Sequence, residues 1–258
     1  MSDGDRLSND RFLGGRLTIA QPAGGYRAGI DAVLLAAAVP ARGGDTVLEL
    51  GCGAGTAVLC LATRVPGVTL SALEVQTDYA ALARANAATA GVALTVYEGD
   101  VAAPPTAFRT VRADHVMANP PFFVRADGTM AQDAGRESGR GESAPLDSWV
   151  ACAARRLRPG GMLTIIQRAT RLGEIMGALE ARFGAVEILP IAARAGRQAE
   201  HVIVRARTDR RTPLSLLPPL VLHPGAEHAE DGGAYRPEVE KVLRNAAALP
   251  GLPMPSGG

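Results

Sequence analysis

The stretch Glu49-Leu50-Gly51-Cys52-Gly53-Ala54-Gly55 follows an apolar run, Thr46 to Leu50, and precedes a helical pattern from Thr56 to about Arg64. A short buried strand, a glycine-rich turn and a helix in that order begin an α/β unit. The glycines permit a tight turn and let a ligand approach the backbone at the strand's C-terminal edge, beside a helix N-terminus. Such a loop suits a nucleoside-containing cofactor. A dinucleotide fingerprint needs a glycine three positions past the second one, and Gly53 is followed by Ala54, Gly55 and Thr56, so that pattern fails.

Working outward, strands alternate with helices. Val68 to Leu73 reads as a strand ending at Glu74, a helix runs from about Asp78 to Gly91, and Leu94 to Tyr97 is a strand closing on Glu98-Gly99-Asp100. Asp114 to Ala118 is the next strand, and a helix carrying Leu146, Trp149, Val150 and Leu157 leads through Pro159-Gly160-Gly161 into the strand Met162 to Gln167. A further helix ends near Phe183-Gly184. Val186 to Leu189 and His201 to Arg207 are strands joined by the short loop Ala192 to Ala199, which predicts a hairpin. This alternation predicts an α/β fold with a mostly parallel sheet, right-handed crossovers and helices on both faces.

At the N-terminal end the first twenty residues alternate glycine and polar residues, and Gln21 to Gly29 forms a glycine-rich loop. Asp31 is the expected N-cap of the apolar helix that follows, and Pro40 stops it. Arg125 to Pro145 is a long polar loop, expected to be a lid or a mobile segment. From Thr212 the chain is proline-rich with one helix expected over Pro237 to Ala248. The predicted organisation is a single domain over 1–258: an N-terminal loop and helix (1–40), a core (46–211) and a C-terminal extension (212–258).

The composition, 47% hydrophobic and 21% charged, is that of a globular chain. No apolar run reaches membrane-spanning length and the N-terminus is polar, so a cytoplasmic location is expected, with no membrane partner. Cys52, Cys60 and Cys152 are odd in number and lack CxxC spacing. They read as reduced core thiols, with no metal expected. The net charge is only +1, yet twelve arginines face five acids between Val150 and Arg211. Arginine grips phosphate bidentately, so an RNA partner fits; solvated arginines fit as well.

After Ala118 the chain reads Asn119-Pro120-Pro121-Phe122-Phe123. Two prolines cannot continue a sheet, so the chain leaves the strand at once and Asn119 is held at its end. The Asn119 oxygen, the Pro120 carbonyl freed from the ladder and the Phe122 face suit a flat ring bearing an NH₂ group. A plain turn with a core phenylalanine is the simpler alternative. Glu74 ends its strand where an acid can accept from ribose hydroxyls, and Asp100 where it can accept from an adenine amine. Singly each acid reads as readily as a cap or turn residue, and Glu49 can be either.

These ordered motifs, Glu49 to Gly55, Glu74, Asp100 and Asn119-Pro120-Pro121-Phe122, resemble class I S-adenosylmethionine-dependent methyltransferases of the exocyclic-amine branch. Arg27-Ala28-Gly29-Ile30-Asp31-Ala32-Val33-Leu34-Leu35 and Leu220-Val221-Leu222-His223 with the later Tyr235 are similar to the valine-tRNA adenine-N6 methyltransferases. The resemblance implies a Rossmann-like sheet of seven strands, one antiparallel, with S-adenosylmethionine as cofactor and an RNA, foremost tRNA, as substrate. It implies Arg27, Gly29, Asp31, Glu49, Gly51, Gly53, Gly55, Glu74, Asp100 and Asn119 as cofactor-binding residues, and Asn119, Pro120 and Phe122 as catalytic ones. In that mechanism Asn119 and the Pro120 carbonyl accept from the amine and turn its lone pair to the methyl group, while Phe122 stacks on the extruded base. Three alternatives stay open: release-factor glutamine methylation, rRNA guanine amino methylation, and a silent RNA-binding scaffold. The oligomeric state is not legible.

Overall fold

The computed structural model describes residues 7–121, 144–210, 212–225 and 234–253. Phe122, Phe123, Arg211 and nearly all of the loop expected over Arg125 to Pro145 lie outside them. The described chain opens with an antiparallel hairpin, β1 (Leu7–Phe12) and β2 (Leu17–Pro22), where sequence reading expected only a polar loop. The signal was in β2, whose Leu17, Ile19 and Gln21 are buried in strict alternation; β1 is polar and masks it.

Helix α1 (Ile30–Ala38) starts from Gly29, and Asp31 lies inside its first turn without capping it. That corrects the N-cap expectation. The central units follow as β3 (Thr46–Leu50), α2 (Thr56–Arg64), β4 (Thr69–Glu74), α3 (Thr77–Thr89), β5 (Leu94–Glu98) and β6 (Ala113–Ala118). Next come α4 (Leu146–Arg156), β7 (Leu157–Arg168), α5 (Leu172–Glu180), β8 (Gly184–Ala192) and β9 (Ala199–Arg207). The main seven strands lie in the order β8-β9-β7-β6-β3-β4-β5, with β9 antiparallel to both neighbours, as the hairpin reading required. Two two-residue strands, β10 (Ser215–Leu216) and β11 (Leu220–Val221), add to the outer edge of β8, making nine among the described residues where seven were expected.

Side-chain alternation along the strands separates two cores. Val47, Met117 and Ile166 face α1 and α2, whereas Leu48, Leu50, Val116, Leu163 and Ile165 face α4 and α5. Leu34, Leu35, Leu48 and Leu50 are each at most 1% exposed, and each such burial contributes about 1.5–3 kcal/mol. The C-terminal segment closes over the α1 side: Val239 and Val242 of α6 (Pro237–Asn245) join that core, and the Leu249 N–H donates to the Ala37 carbonyl at 2.9 Å. The three cysteines are free and buried, and burial pushes the Cys60 thiol up to about 12. No described helix is long and apolar enough to cross a membrane.

Candidate functional site

The chain leaves β3 toward β4 and β5 on one side and returns to β6 on the other, so the order of strands reverses between β3 and β6. Ligands of open α/β sheets bind at such a reversal, beyond the strands' carboxyl ends. Pairing of Leu50 with both Leu73 and Ala118 sets Gly51 beside Glu74 on one flank and Asn119 on the other, and Glu74 pairs with Glu98 just ahead of Asp100. The four predicted strand ends therefore come together.

Gly51 adopts φ +65°, and its N–H donates to the Leu73 carbonyl at 2.7 Å. A Cβ there would sit 2.5 Å from the Trp149 ring, so only glycine fits beneath that indole. The Gly53 N–H donates to Glu74 Oε2 at 2.8 Å, and the Gln76 N–H to Oε1 at 2.9 Å. Burial raises the Glu74 carboxyl above its ordinary range against these hydrogen bonds. Glu49 lies on the α2 face of β3 and accepts from the Val58 N–H at 2.9 Å, which caps that helix. Burial drives its carboxyl well above the ordinary range, and the neighbouring Glu74 adds to the rise. Two buried carboxyl groups beside one glycine turn are an electrostatic complement to a cationic ligand.

Asp100 accepts from the Ala102 N–H through Oδ1 at 2.8 Å, an Asx turn that leaves Oδ2 without a partner among the described residues. Asn119 is half-buried; its Nδ2 donates to the Tyr26 hydroxyl at 3.4 Å, and no described residue donates to its Oδ1. The Pro120 carbonyl, expected to be free, accepts from Gln167 Nε2 at 2.9 Å, which corrects that expectation and leaves one lone pair open. Arg27 forms a two-oxygen ion pair with Asp10 of β1 at 2.7 Å. Asp31 lies 3.8 Å from His201 Nε2. The structure thus ties Arg27 to the hairpin and sets Asp31 near β9, while the adjacent Tyr26 reaches Asn119 of the row formed by Gly51, Glu74, Asp100 and Asn119.

Residues that sequence reading missed hold this row in place. Asn86 of α3 donates to the Ala20 and Ala54 carbonyls and accepts from the Ala20 N–H, clipping β2 to the glycine turn. Gln21 grips both backbone atoms of Ala28, and Tyr79 donates to the Tyr26 carbonyl at 2.9 Å. Buried amides in apolar segments were the available signal, but their partners are distant in sequence. The arginine-rich stretch does not form one face: Arg205 is 2% exposed in an ion pair with Glu187, and Arg156 donates to the Phe108 and Arg109 carbonyls. Arg168 and Arg197 are exposed at the carboxyl edge, Arg155 and Arg158 at the opposite one.

Residues 26–194 match the family model described as methyltransferase small domain. The tRNA1(Val) (adenine(37)-N6)-methyltransferase of Aeromonas hydrophila is 30% identical over 186 residues, 69% of this chain and 75% of its own. The enzyme of that name from Porphyromonas gingivalis is 30% identical over 178 residues, 66% and 69% of the two chains. Among solved structures, a predicted O-methyltransferase from Agrobacterium tumefaciens is 27% identical and superposes with TM-score 0.67, covering 84% of this chain and 97% of its own. The T. thermophilus 16S rRNA N2 G1207 methyltransferase in complex with AdoMet and guanosine shares the fold at 21% identity and TM-score 0.55, covering 79% and 50%.

Proposed function

The chain belongs to the methyltransferase small domain family, and from that premise we propose that it transfers a methyl group from S-adenosylmethionine to an exocyclic amino nitrogen, adenine N6 of a tRNA. The observation that carries this reading is the pair of open acceptors at the strand reversal, Asn119 Oδ1 and the remaining lone pair of the Pro120 carbonyl. An NH₂ group has two hydrogens to give, and two acceptors on one rigid turn match it. The names of the bacterial relatives supply the tRNA adenine.

The residues present fit the cofactor. Glu49 and Glu74 are buried carboxylates whose raised proton affinity a sulfonium cation would relieve, and Thr56 Oγ1, buried at the end of the glycine turn, has no partner among the described residues. Glu74 would hold the ribose hydroxyls with its remaining lone pairs, Asp100 Oδ2 the adenine amine, and the Gly51 to Gly55 backbone the rest. When bound, S-adenosylmethionine supplies an electrophilic methyl group. Asn119 and Pro120 accept the two N–H groups and draw the amine nitrogen toward tetrahedral geometry, which frees its lone pair for in-line attack. The displaced proton leaves afterwards to water, so no strong base is required. The exposed Arg168 and Arg197 lie at the same edge, where RNA phosphates would pass.

The test is incubation with labelled S-adenosylmethionine and total tRNA, followed by mass spectrometry of the nucleosides. N6-methyladenosine is the expected product. Label in N2-methylguanosine, in a ribose 2′-oxygen or in protein glutamine instead would overturn the adenine reading.

A further inference from the structure

We propose that Gln167 is a positioning residue for methyl transfer, holding the Pro120 carbonyl so that its open lone pair meets the substrate amine. The inference rests on the reading of Asn119 and Pro120 as the amine's acceptors. It starts from a weakness of the Asn119-Pro120-Pro121 turn: neither proline carries an N–H, so the sheet ladder cannot register it. Its carbonyl planes must be fixed by other groups.

Two side chains from β7 and the turn after it do this. Gln167 is 0% exposed; its Nε2 donates to the Pro120 carbonyl at 2.9 Å while its Oε1 accepts from the Arg168 N–H at 2.9 Å. A carbonyl only accepts and a backbone N–H only donates, so the orientation of this amide follows from its partners. Arg171 Nη1 donates to the Pro121 carbonyl at 3.0 Å, and the same guanidinium is paired with Glu174. Two successive carbonyls of the turn are therefore pinned, the first by a neutral and fully enclosed group. Gln167 takes one lone pair of Pro120 and stops rotation of that peptide plane, which leaves the second lone pair with a fixed direction. A buried amide that merely satisfied a carbonyl would stabilise the fold and do nothing else.

Gln167→Leu and Gln167→Glu separate these roles, measured by single-turnover methyl transfer, cofactor affinity and melting temperature, with Asn119→Ala alongside. Gln167→Leu removes both hydrogen bonds at similar volume. Its rate should fall on the order of 10- to 100-fold with cofactor affinity and KM for tRNA unchanged, the scale of a small misplacement of a reacting group. Gln167→Glu is nearly isosteric, and its neutral carboxyl can donate to Pro120 and accept from Arg168 as the amide does. Once ionised it has no hydrogen to donate. Burial raises the pKa of that carboxyl, Arg168 and Arg171 lower it, Glu174 offsets Arg171, and His201 opposite Arg168 on β9 adds positive charge only when protonated. Whatever the midpoint, the ratio of its rate to wild type should recover toward acid and fall as pH rises.

The proposal is overturned if Gln167→Leu turns over within about twofold of wild type, or if its rate, cofactor affinity and melting temperature fall together. A pH-independent rate ratio for Gln167→Glu overturns it too. If Asn119→Ala keeps its turnover, the acceptor reading itself fails. If Asn119→Ala is inactive and the Gln167 variants are not impaired, this inference alone fails.

Discussion

The two edges of the one sheet are built from similar residues and do opposite things with them. The amino edge holds a cleft of about 240 Å³ lined by Arg42, Asp45, Asp114, His115, Arg158 and Arg207. Most of its charged groups are spent on one another and on the backbone, and the buried His115 Nδ1 has no partner among the described residues. Asp114 meets Arg158 at 2.6 Å and the Thr46 N–H at 2.8 Å, Asp45 meets His115 Nε2 at 3.1 Å, and Arg207 donates to the Gly160 carbonyl at 3.1 Å. Burial pushes the Asp114 carboxyl up, but Arg158 and the Thr46 N–H overcome it and leave it below its ordinary range. The carboxyl edge differs: Glu49 and Glu74 sit above theirs with no cation paired to them among the described residues, and no described residue donates to Asn119 Oδ1. A hollow lined with charges is not by itself a site. Uncompensated polar groups on a rigid frame mark where a ligand completes the structure.

The largest expected effect tests the carboxyl edge directly. Asn119→Ala should lower single-turnover methyl transfer on the order of 10²- to 10³-fold, as removal of one preorganised hydrogen-bonding group does. Cofactor affinity and melting temperature should stay near wild type, because the side chain makes only a 3.4 Å contact to Tyr26 within the described protein. A parallel fall of all three would make Asn119 a turn residue and erase the contrast between the edges.

Glu49→Gln sharpens it with two changes of opposite sign. A carboxyl raised in the folded state above its ordinary 4.5 stabilises the fold below that value, and this contribution is lost as pH rises toward the folded pKa. A neutral Gln keeps the hydrogen bond to Val58 and avoids that loss, so the melting temperature of the cofactor-free variant should exceed wild type, and by more at about pH 8 than at about pH 5.5. Cofactor affinity should fall roughly tenfold, since a cationic ligand loses a carboxylate partner. Equal melting temperatures across pH in thermal denaturation would mean that Glu49 carries no stored cost.

The smallest effect belongs to the amino edge. Arg158→Ala removes a pair in which the arginine side chain is 47% exposed, and such pairs contribute about 0.2–1 kcal/mol. Thermal unfolding should register at most a few degrees, with methyl transfer to tRNA unchanged. A loss of turnover or of tRNA affinity would show that this edge contacts substrate, and the comparison would break there.

Much of this molecule was written in local sequence. The strand-turn-helix around Gly51 to Gly55, the order of alternating elements, the β8–β9 hairpin and the strand ends at Glu74 and Ala118 follow from apolar periodicity and from glycine and proline, which act over a few residues. The sequence alone also determined that Gly51, Glu74, Asp100 and Asn119 would meet, because parallel strands in this order carry their carboxyl ends to one edge. Only the tertiary structure decided what those residues touch. Tyr26 reaches Asn119 across 93 positions and Gln167 reaches Pro120 across 47, and no local pattern encodes which side chain a strand end will find beside it. It likewise made Glu49 a helix cap and gave Arg27 to Asp10, and it divided the arginines between two edges, because β7 crosses the sheet and carries Arg158 and Arg168 to opposite ends of the strand.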